Sequence, residues 1–407
     1  MSDALHLERE AIARPLRGSL SVGIIAAILC VPAALFDIEQ FFRAYYVAWL
    51  FFLGLSLGSL ALAMIQHLTG GAWTLLTRRL VEAQLKTLPL MALLAIPLVL
   101  GLPHIFLWAQ PEAANPAPGE SYQAWYLGLR FFYLRAGVYF AVWLVLAAMM
   151  NHFSRQLDNT NDALAVWRPY KVSGLGLVLF GVTLHFATID WVMSLQPGFT
   201  STMLGPLVFS GQLISAYALA VILFCCVIDR PQFAELLSDK VLNDLSSLLF
   251  TLAVLWAYLS WFDFMLIWIA DLPRGNLWYT ARSQGYWPTL FCVAGLGHFV
   301  IPFFLLQWRS IKENRLWLRR LATIILVSHV LVQYYQVMPV YGQWELSRHW
   351  LDPLPLLAIG GIWFASLLWL LTRRPLLPHC DLNYTQARRL HALDNAELAR
   401  TEAANHA

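Results

Sequence analysis

The run YYVAWLFFLGLSLGSLALAMIQ, residues 45–66, contains no Asp, Glu, Lys or Arg. As a helix it is about 33 Å long at 1.5 Å per residue, enough to cross the hydrocarbon core of a bilayer. Nine other apolar stretches of comparable length accompany it, and the expected spans are 19–36, 44–66, 87–107, 132–152, 172–192, 206–228, 245–270, 287–308, 321–339 and 354–371. Lipid offers no hydrogen-bond partner to a bare backbone N–H or C=O, so each crossing segment must be a helix. The chain reads as an all-α integral membrane protein with ten transmembrane helices.

Composition agrees with that class. Hydrophobic residues make up 59% of the 407 positions and charged residues 13%, against about 25% charged in a soluble domain. Mean hydropathy is +0.59. Eighteen Trp and fifteen Tyr suit the aromatic belts of a membrane protein. A net charge of +3 is too small to argue for nucleic acid as a partner. Cys30, Cys225, Cys226, Cys292 and Cys380 show no C-x-x-C or iron–sulfur spacing and read as small hydrophobes. The N-terminus carries charges of both signs and no small-residue cleavage site, so it reads as retained.

Orientation follows from the basic residues. Twenty-one of the 27 Lys and Arg fall on the side of the N-tail, and only Arg43, Arg130, Arg135, Arg274, Arg282 and Arg348 fall on the other. The positive side stays cytoplasmic, so both termini face the cytoplasm. Residues 1–18 and 372–407 are then cytoplasmic tails, the second helical in part over 387–399, and the Pro- and aromatic-rich loop 104–131 lies outside. A faint repeat adds organisation. Leu102-Pro103 and Leu107-Trp108 recur as Leu272-Pro273 and Leu277-Trp278, at an offset of 170 residues. Two four-helix bundles, about 44–192 and 206–339, with spans one and ten outside them, account for it, although four matches can arise by chance.

Ionisable groups at bilayer depth are costly, and each is a functional candidate. The topology puts most of them in the outer half. Asp190 and His185 lie in span five, Asp263 in span seven on one face with Ser260 and Trp256, Arg135 near the outer end of span four, Gln212 in span six and His298 mid-depth in span eight. His329, Gln333 and Gln336 form an i, i+4, i+7 stripe on span nine. Such a cluster suits a proton half-channel or a pocket for a lipophilic quinol, whose oxidation releases protons to a carboxylate or imidazole. The inner candidates are Ser59 and Gln66 on span two, then His67, Glu82 and Lys86 near the inner surface. Each has a plain structural reading beside the functional one. Asp190 is two residues from a loop and can be wet, Asp263 can pair with Arg135, and the span-nine stripe can hydrogen-bond neighbouring helices. Gly54-x-x-x-Gly58 on span two permits close helix approach, and Pro89, Pro97 and Pro103 should kink span three.

Several strings carry a resemblance. They are FFRAYYVAWLFFLGLSLGSLALAMIQHLTGGAW at 41–73, KTLPLMALLAIPLVLGLP at 86–103, HFATIDWVMSLQPGFTSTMLG at 185–205, LLFTLAVLWAYLSWFDFMLIWIADLP at 248–273 and HWLDPLPLLAIGGIWFASLLWLL at 349–371. Together they resemble the ActF family of subunits of bacterial alternative complex III, a quinol:electron-acceptor oxidoreductase, which is related to the NrfD-like polysulfide reductase membrane subunits. The resemblance implies a bacterial inner-membrane subunit with two four-helix bundles and one flanking helix at each end, carrying no redox cofactor of its own. It implies quinone binding, proton translocation or both. The implied partners are an NrfD-like ActC subunit, an iron–sulfur subunit, multihaem and monohaem cytochromes c, and a terminal oxidase. The match departs from the family in span seven, where Asp263 stands at a position usually Gln and Asp271 at one usually Asn. A free-standing ten-helix secondary transporter and a purely structural scaffold are the competing readings.

Overall fold

Why one helix dominates the architecture is visible in its sequence: Ile38–Thr69 is apolar on every face, and 94% of its most apolar window is buried inside the protein. A helix hydrophobic all round belongs at the centre of a bundle. The computed structural model describes residues 9–70, 72–110, 125–159, 164–227, 239–343 and 349–375, and these contain helices and turns but no strand. The helices are α1 (Arg9–Phe36), α2 (Ile38–Thr69), α3 (Ala72–Leu85), α4 (Leu88–Leu93), α5 (Ile96–Ile105), α6 (Leu129–Asn159), α7 (Leu164–Trp191), α8 (Leu204–Val227), α9 (Asp239–Ala270), α10 (Pro273–Arg282), α11 (Trp287–Gly295), α12 (Ile301–Leu305), α13 (Arg309–Lys312), α14 (Arg315–Val337) and α15 (Pro353–Leu371). A π-helical turn, Leu296–Val300, joins α11 to α12.

Among the described residues, nine helical stretches are long and apolar enough to cross a membrane. The expected third span is not one helix. Its place is taken by two pieces, Leu76–Leu93 and Ile96–Ile105, bent by 66°. Pro89 and Pro97 each stand in the first turn of a new helix, where a residue without an N–H is tolerated. The breaks free carbonyls that α2 satisfies: Trp49 Nε1 donates to Met91 O at 3.0 Å and Tyr45 OH to Leu94 O at 2.9 Å. Pro103, expected to kink the chain as well, lies inside α5 without a break.

Small residues set the close crossings. A Cβ on Gly58 would collide with the backbone carbonyl of Gln212, so α2 and α8 touch main chain to main chain there. A Cβ on Gly23 would come within 2.7 Å of Ile362 N, and Ser19 OH donates to Gly361 O at 2.9 Å, so α1 lies along α15. The helix α1 begins at Arg9, well inside the segment expected to be a tail. Large apolar side chains face outward on α1, α5, α7 and α9, including Leu35, Leu100, Leu175 and Trp268. The helical stretch expected at 387–399, the loop segment 111–124 and Arg348 lie outside the described residues.

Phe36, Ile105, Trp191, Ala270, Tyr341 and Pro353 mark one end of the bundle, tied together by bonds such as Tyr46 OH to Trp191 O at 2.5 Å and Tyr341 OH to Ile105 O at 2.6 Å. We call it the Asp190 end and its opposite the Glu82 end.

Candidate functional site

Asp190 closes the last turn of α7 and is fully buried, so it is not a wet loop-edge carboxylate. Arg135 on α6 grips it in a fork, Nε to Oδ2 at 2.8 Å and Nη2 to Oδ1 at 2.9 Å, and Tyr139 OH donates to Oδ2 at 2.8 Å. The guanidinium also donates to Tyr126 O at 2.7 Å and lies over the Tyr126 ring. The expected pairing of Arg135 with Asp263 is therefore replaced by Arg135 with Asp190. The rings of Tyr126 and Phe131 and a bidentate acid fix this arginine, which is the geometry a guanidinium plane favours.

Asp263 on α9 is 1% exposed and has no cation beside it among the described residues. Ser201 OH donates to Oδ1 at 2.5 Å and Tyr279 OH to Oδ2 at 2.9 Å. Tyr279 belongs to α10, which folds back from the Asp190 end to reach it. Burial, reinforced by the Asp263 charge, pushes the Tyr279 phenol far up, so it remains a donor. Arg282, at the end of α10, does not meet that carboxylate. It is buried against Trp278 and donates to the carbonyls of Trp278, Tyr335 and Gln336 at 2.9, 3.2 and 2.5 Å, closing the end of α14; burial lowers its pKa to about 9.

Mid-span, α8, α9, α14 and the π-helical turn meet around a second kind of site. His298 sits in the π turn, fully buried, its ring 5.3 Å from that of His329 and 4.2 Å from that of Trp256. Both ring nitrogens of His298, Nδ1 of His329, Nε1 of Trp256 and Oε1 of Gln212 have no hydrogen-bond partner among the described residues. Native interiors leave few such atoms, and each calls for an explanation. π turns insert an extra residue into a helix and recur at functional sites. Gly211 leaves the room that the His329 ring fills. One turn along α14 from His329, a cavity of about 20 Å3 lies between Gln212 and Gln333, walled by Leu50, Leu57, Thr188 and Trp191; neither histidine ring lines it. A space of roughly 10–15 Å3 already holds one water. His329, Gln333 and Gln336 all face inward, as their spacing on one helix predicts.

No protein-family model matches this chain, and no curated protein matches it either.

The remaining candidates divide. His185 is half-buried against Gly205 at the start of α8, outside the ion pair. At the Glu82 end, Glu82 accepts from Arg78 Nε at 2.9 Å and Arg79 Nη1 at 2.8 Å, with Arg374 Nη1 at 3.7 Å. Ser59 donates to Gln84 Oε1 and Gln66 to Thr77 Oγ1, both at 2.9 Å. These groups knit α2 to α3, while His67 and Lys86 are half-buried.

A further cluster has no counterpart in the sequence reading. Gln40 Nε2 donates to Asp352 Oδ1 at 2.6 Å, His349 Nδ1 lies 2.8 Å from Asp352 Oδ2, and Tyr334 OH bonds both Asp352 and His349. The His349-x-x-Asp352 spacing just ahead of Pro353 was the available signal. Polar residues between apolar runs read as solvated loop, and here His349 and Asp352 turn inward.

Proposed function

We propose that this chain is an integral membrane subunit of a respiratory quinol:electron-acceptor oxidoreductase of the alternative complex III kind, with no redox centre of its own, and that it moves protons. The observation that carries this reading is the His298–His329 pair: buried imidazoles whose nitrogens Nδ1 and Nε2 of His298 and Nδ1 of His329 have no partner among the described residues, with a water-sized cavity lined by Gln333, one turn along α14 from His329, and by Gln212, next to Gly211. A structural histidine in lipid spends its nitrogens on hydrogen bonds; a proton carrier keeps them available for water or a transient donor. Trp191 walls the same cavity and follows Asp190 in the chain. The cavity therefore lies on the Asp190 side of mid-span, and no carboxylate lines it. Its size suits water and a proton, far below the roughly 300 Å3 of a site that encloses a quinone-sized ligand.

The finer architecture belongs to the same proposal. The bent pair counts as the third of ten crossings; α2 to α7 and α8 to α14 form two bundles, flanked by α1 and α15, with both termini in the cytoplasm of a bacterial cell. The packing of α1 along α15, of α6 against α7, and of α8 against α9 and α14 supports that arrangement, with α2 and α8 meeting where the two bundles touch. In the transporter alternative, broken helices recur in both halves, yet α9, the counterpart of the broken third span, runs on from Asp239 to Ala270.

The test is gentle solubilisation followed by identification of what co-purifies. Subunits bearing haem c and iron–sulfur clusters support the proposal. A homo-oligomer stabilised by a solute, with no redox partner, overturns it.

A further inference from the structure

Glu82, Asp190 and Asp263 are the buried acids among the described residues, and they are held differently. Glu82 and Asp190 sit in ion pairs with Arg78, Arg79 and Arg135. Asp263 forms no ion pair among the described residues and accepts from two hydroxyls, Ser201 on Oδ1 and Tyr279 on Oδ2. A proton added to Asp190 would strand the buried charge of Arg135. A proton added to Asp263 strands nothing.

The two hydroxyls are not equivalent. A serine hydroxyl has one hydrogen and two lone pairs. Ser201 Oγ already accepts from Met203 N at 3.1 Å and Leu204 N at 3.3 Å, so its hydrogen is committed to Asp263 Oδ1. That oxygen stays an acceptor, and an added proton belongs on Oδ2, where Tyr279 can turn its own hydrogen away and accept. Tyr279 OH has no other hydrogen-bond partner among the described residues. The charged and titratable groups around it are Arg282, also on α10, and Tyr335 on α14, and Arg282 is tied to three carbonyls.

The carboxylate also has a short way out. Ser201 and Tyr279 are half-buried, and their chain neighbours Thr200, Thr202 and Thr280 are exposed at the Asp190 end. Toward mid-span, Asp263 shares one face of α9 with Ser260 and Trp256, about 10 Å from Trp256 along the helix axis. Trp256 in turn lies against His298, ring centres 4.2 Å apart.

We infer that Asp263 and Tyr279 form the release station for the proton, Asp263 carrying it on Oδ2 and Tyr279 passing it to water at the Asp190 end. The transfer balances: the Oδ2–H bond breaks as a bond to the Tyr279 oxygen forms, the phenol's original proton leaves to water, and carboxylate and phenol are both restored. This rests on the proton movement proposed above and adds its exit groups.

Infrared difference spectroscopy between high and low pH, on the full chain in its native assembly, reads the C=O stretch of protonated Asp263. D263N removes that band. With the proton on Oδ2 the carbonyl oxygen is Oδ1, so S201A, which strips its hydrogen bond, shifts the band to higher frequency by more than Y279F does. In sealed vesicles oxidising quinol, Y279F slows proton release by about 100-fold, the low end for a positioned proton-transfer group, and D263E retains more release than D263N. Absence of a band that D263N removes overturns the inference, as does a larger shift in Y279F than in S201A. If H298L/H329L loses release while D263N, folded by circular dichroism, keeps it, the proton reading stands and the exit assignment falls. Unchanged release in all of these variants overturns both.

Discussion

Arg135 holds Asp190 by two N–H···O bonds of 2.8 and 2.9 Å across 55 residues of sequence. Taking one partner from a buried pair leaves an uncompensated charge and costs about 3–5 kcal/mol, whereas removing both for apolar residues is often near neutral. R135L and D190L should each lower the thermal unfolding midpoint in detergent sharply, and R135L/D190L should recover most of the loss. A double variant no more stable than either single one would show that the pair is not the unit holding α6 to α7.

At Asp263 the prediction has the opposite emphasis, because hydroxyls rather than a cation satisfy it. Hydrogen bonds to a charged group contribute about 1.5–3 kcal/mol each. S201A and Y279F should each destabilise by about that much, and the pair of substitutions should exceed D263N, which leaves a neutral side chain able to accept from one hydroxyl. Chemical denaturation of the purified protein gives the order. D263N costing more than S201A/Y279F would contradict it.

The Gly54-x-x-x-Gly58 motif permits an unequal forecast. A Cβ on Gly58 meets the rigid Gln212 carbonyl, whereas one on Gly54 meets the Gln212 side chain at 3.1 Å, which can give. Overpacking a tight contact costs about 1–3 kcal/mol. G58A should fall in that range and G54A well below it, measured by expression yield and thermal midpoint. Equal effects would mean that α2 and α8 separate more readily than their crossing implies.

How much of this was legible in the sequence depends on whether the answer was local. Apolar length and the Gly54–Gly58 spacing are local, and they led to the central helix and its closest crossing. The inward stripe His329, Gln333 and Gln336 is a property of one helix and is legible for the same reason. The partner of Arg135 is not, because it depends on how α6, α7 and α9 rotate against each other, and two acids at similar depth compete for it. The broken third span was half legible: three prolines announce irregularity, but only tertiary capping by Tyr45 and Trp49 decides where the chain can afford to break. Gln40, Tyr334, His349 and Asp352 were missed because the last two, beside a membrane span, look wet until they turn inward to meet the first two on α2 and α14.

That capping can be measured directly. Y45F and W49F each orphan one carbonyl at the breaks around α4, an unmet acceptor worth about 1–3 kcal/mol when buried. Each should destabilise while leaving helix content unchanged, and P97A, which restores an N–H three residues after Leu94, should partly rescue Y45F and leave W49F as it is. Full stability of W49F would show that the Met91 carbonyl finds another donor.

The histidines give the sharpest division between structure and function. H298L and H329L remove nitrogens of which three have no hydrogen-bond partner among the described residues, so little bonding is lost, and exchanging an orphaned polar group for an apolar one of similar size is neutral or stabilising. A packing role therefore predicts folded variants, singly and together, with intact activity. A proton-carrying role predicts equally folded variants that fail to release protons when the assembled complex oxidises quinol in sealed vesicles. Electron transfer itself should survive in part, since nothing in the pair carries electrons, so the ratio of protons to electrons is the decisive quantity. If that ratio is unchanged in H298L/H329L, the mid-span cluster is packing, and the carboxylates of the Asp190 end must be tested without it.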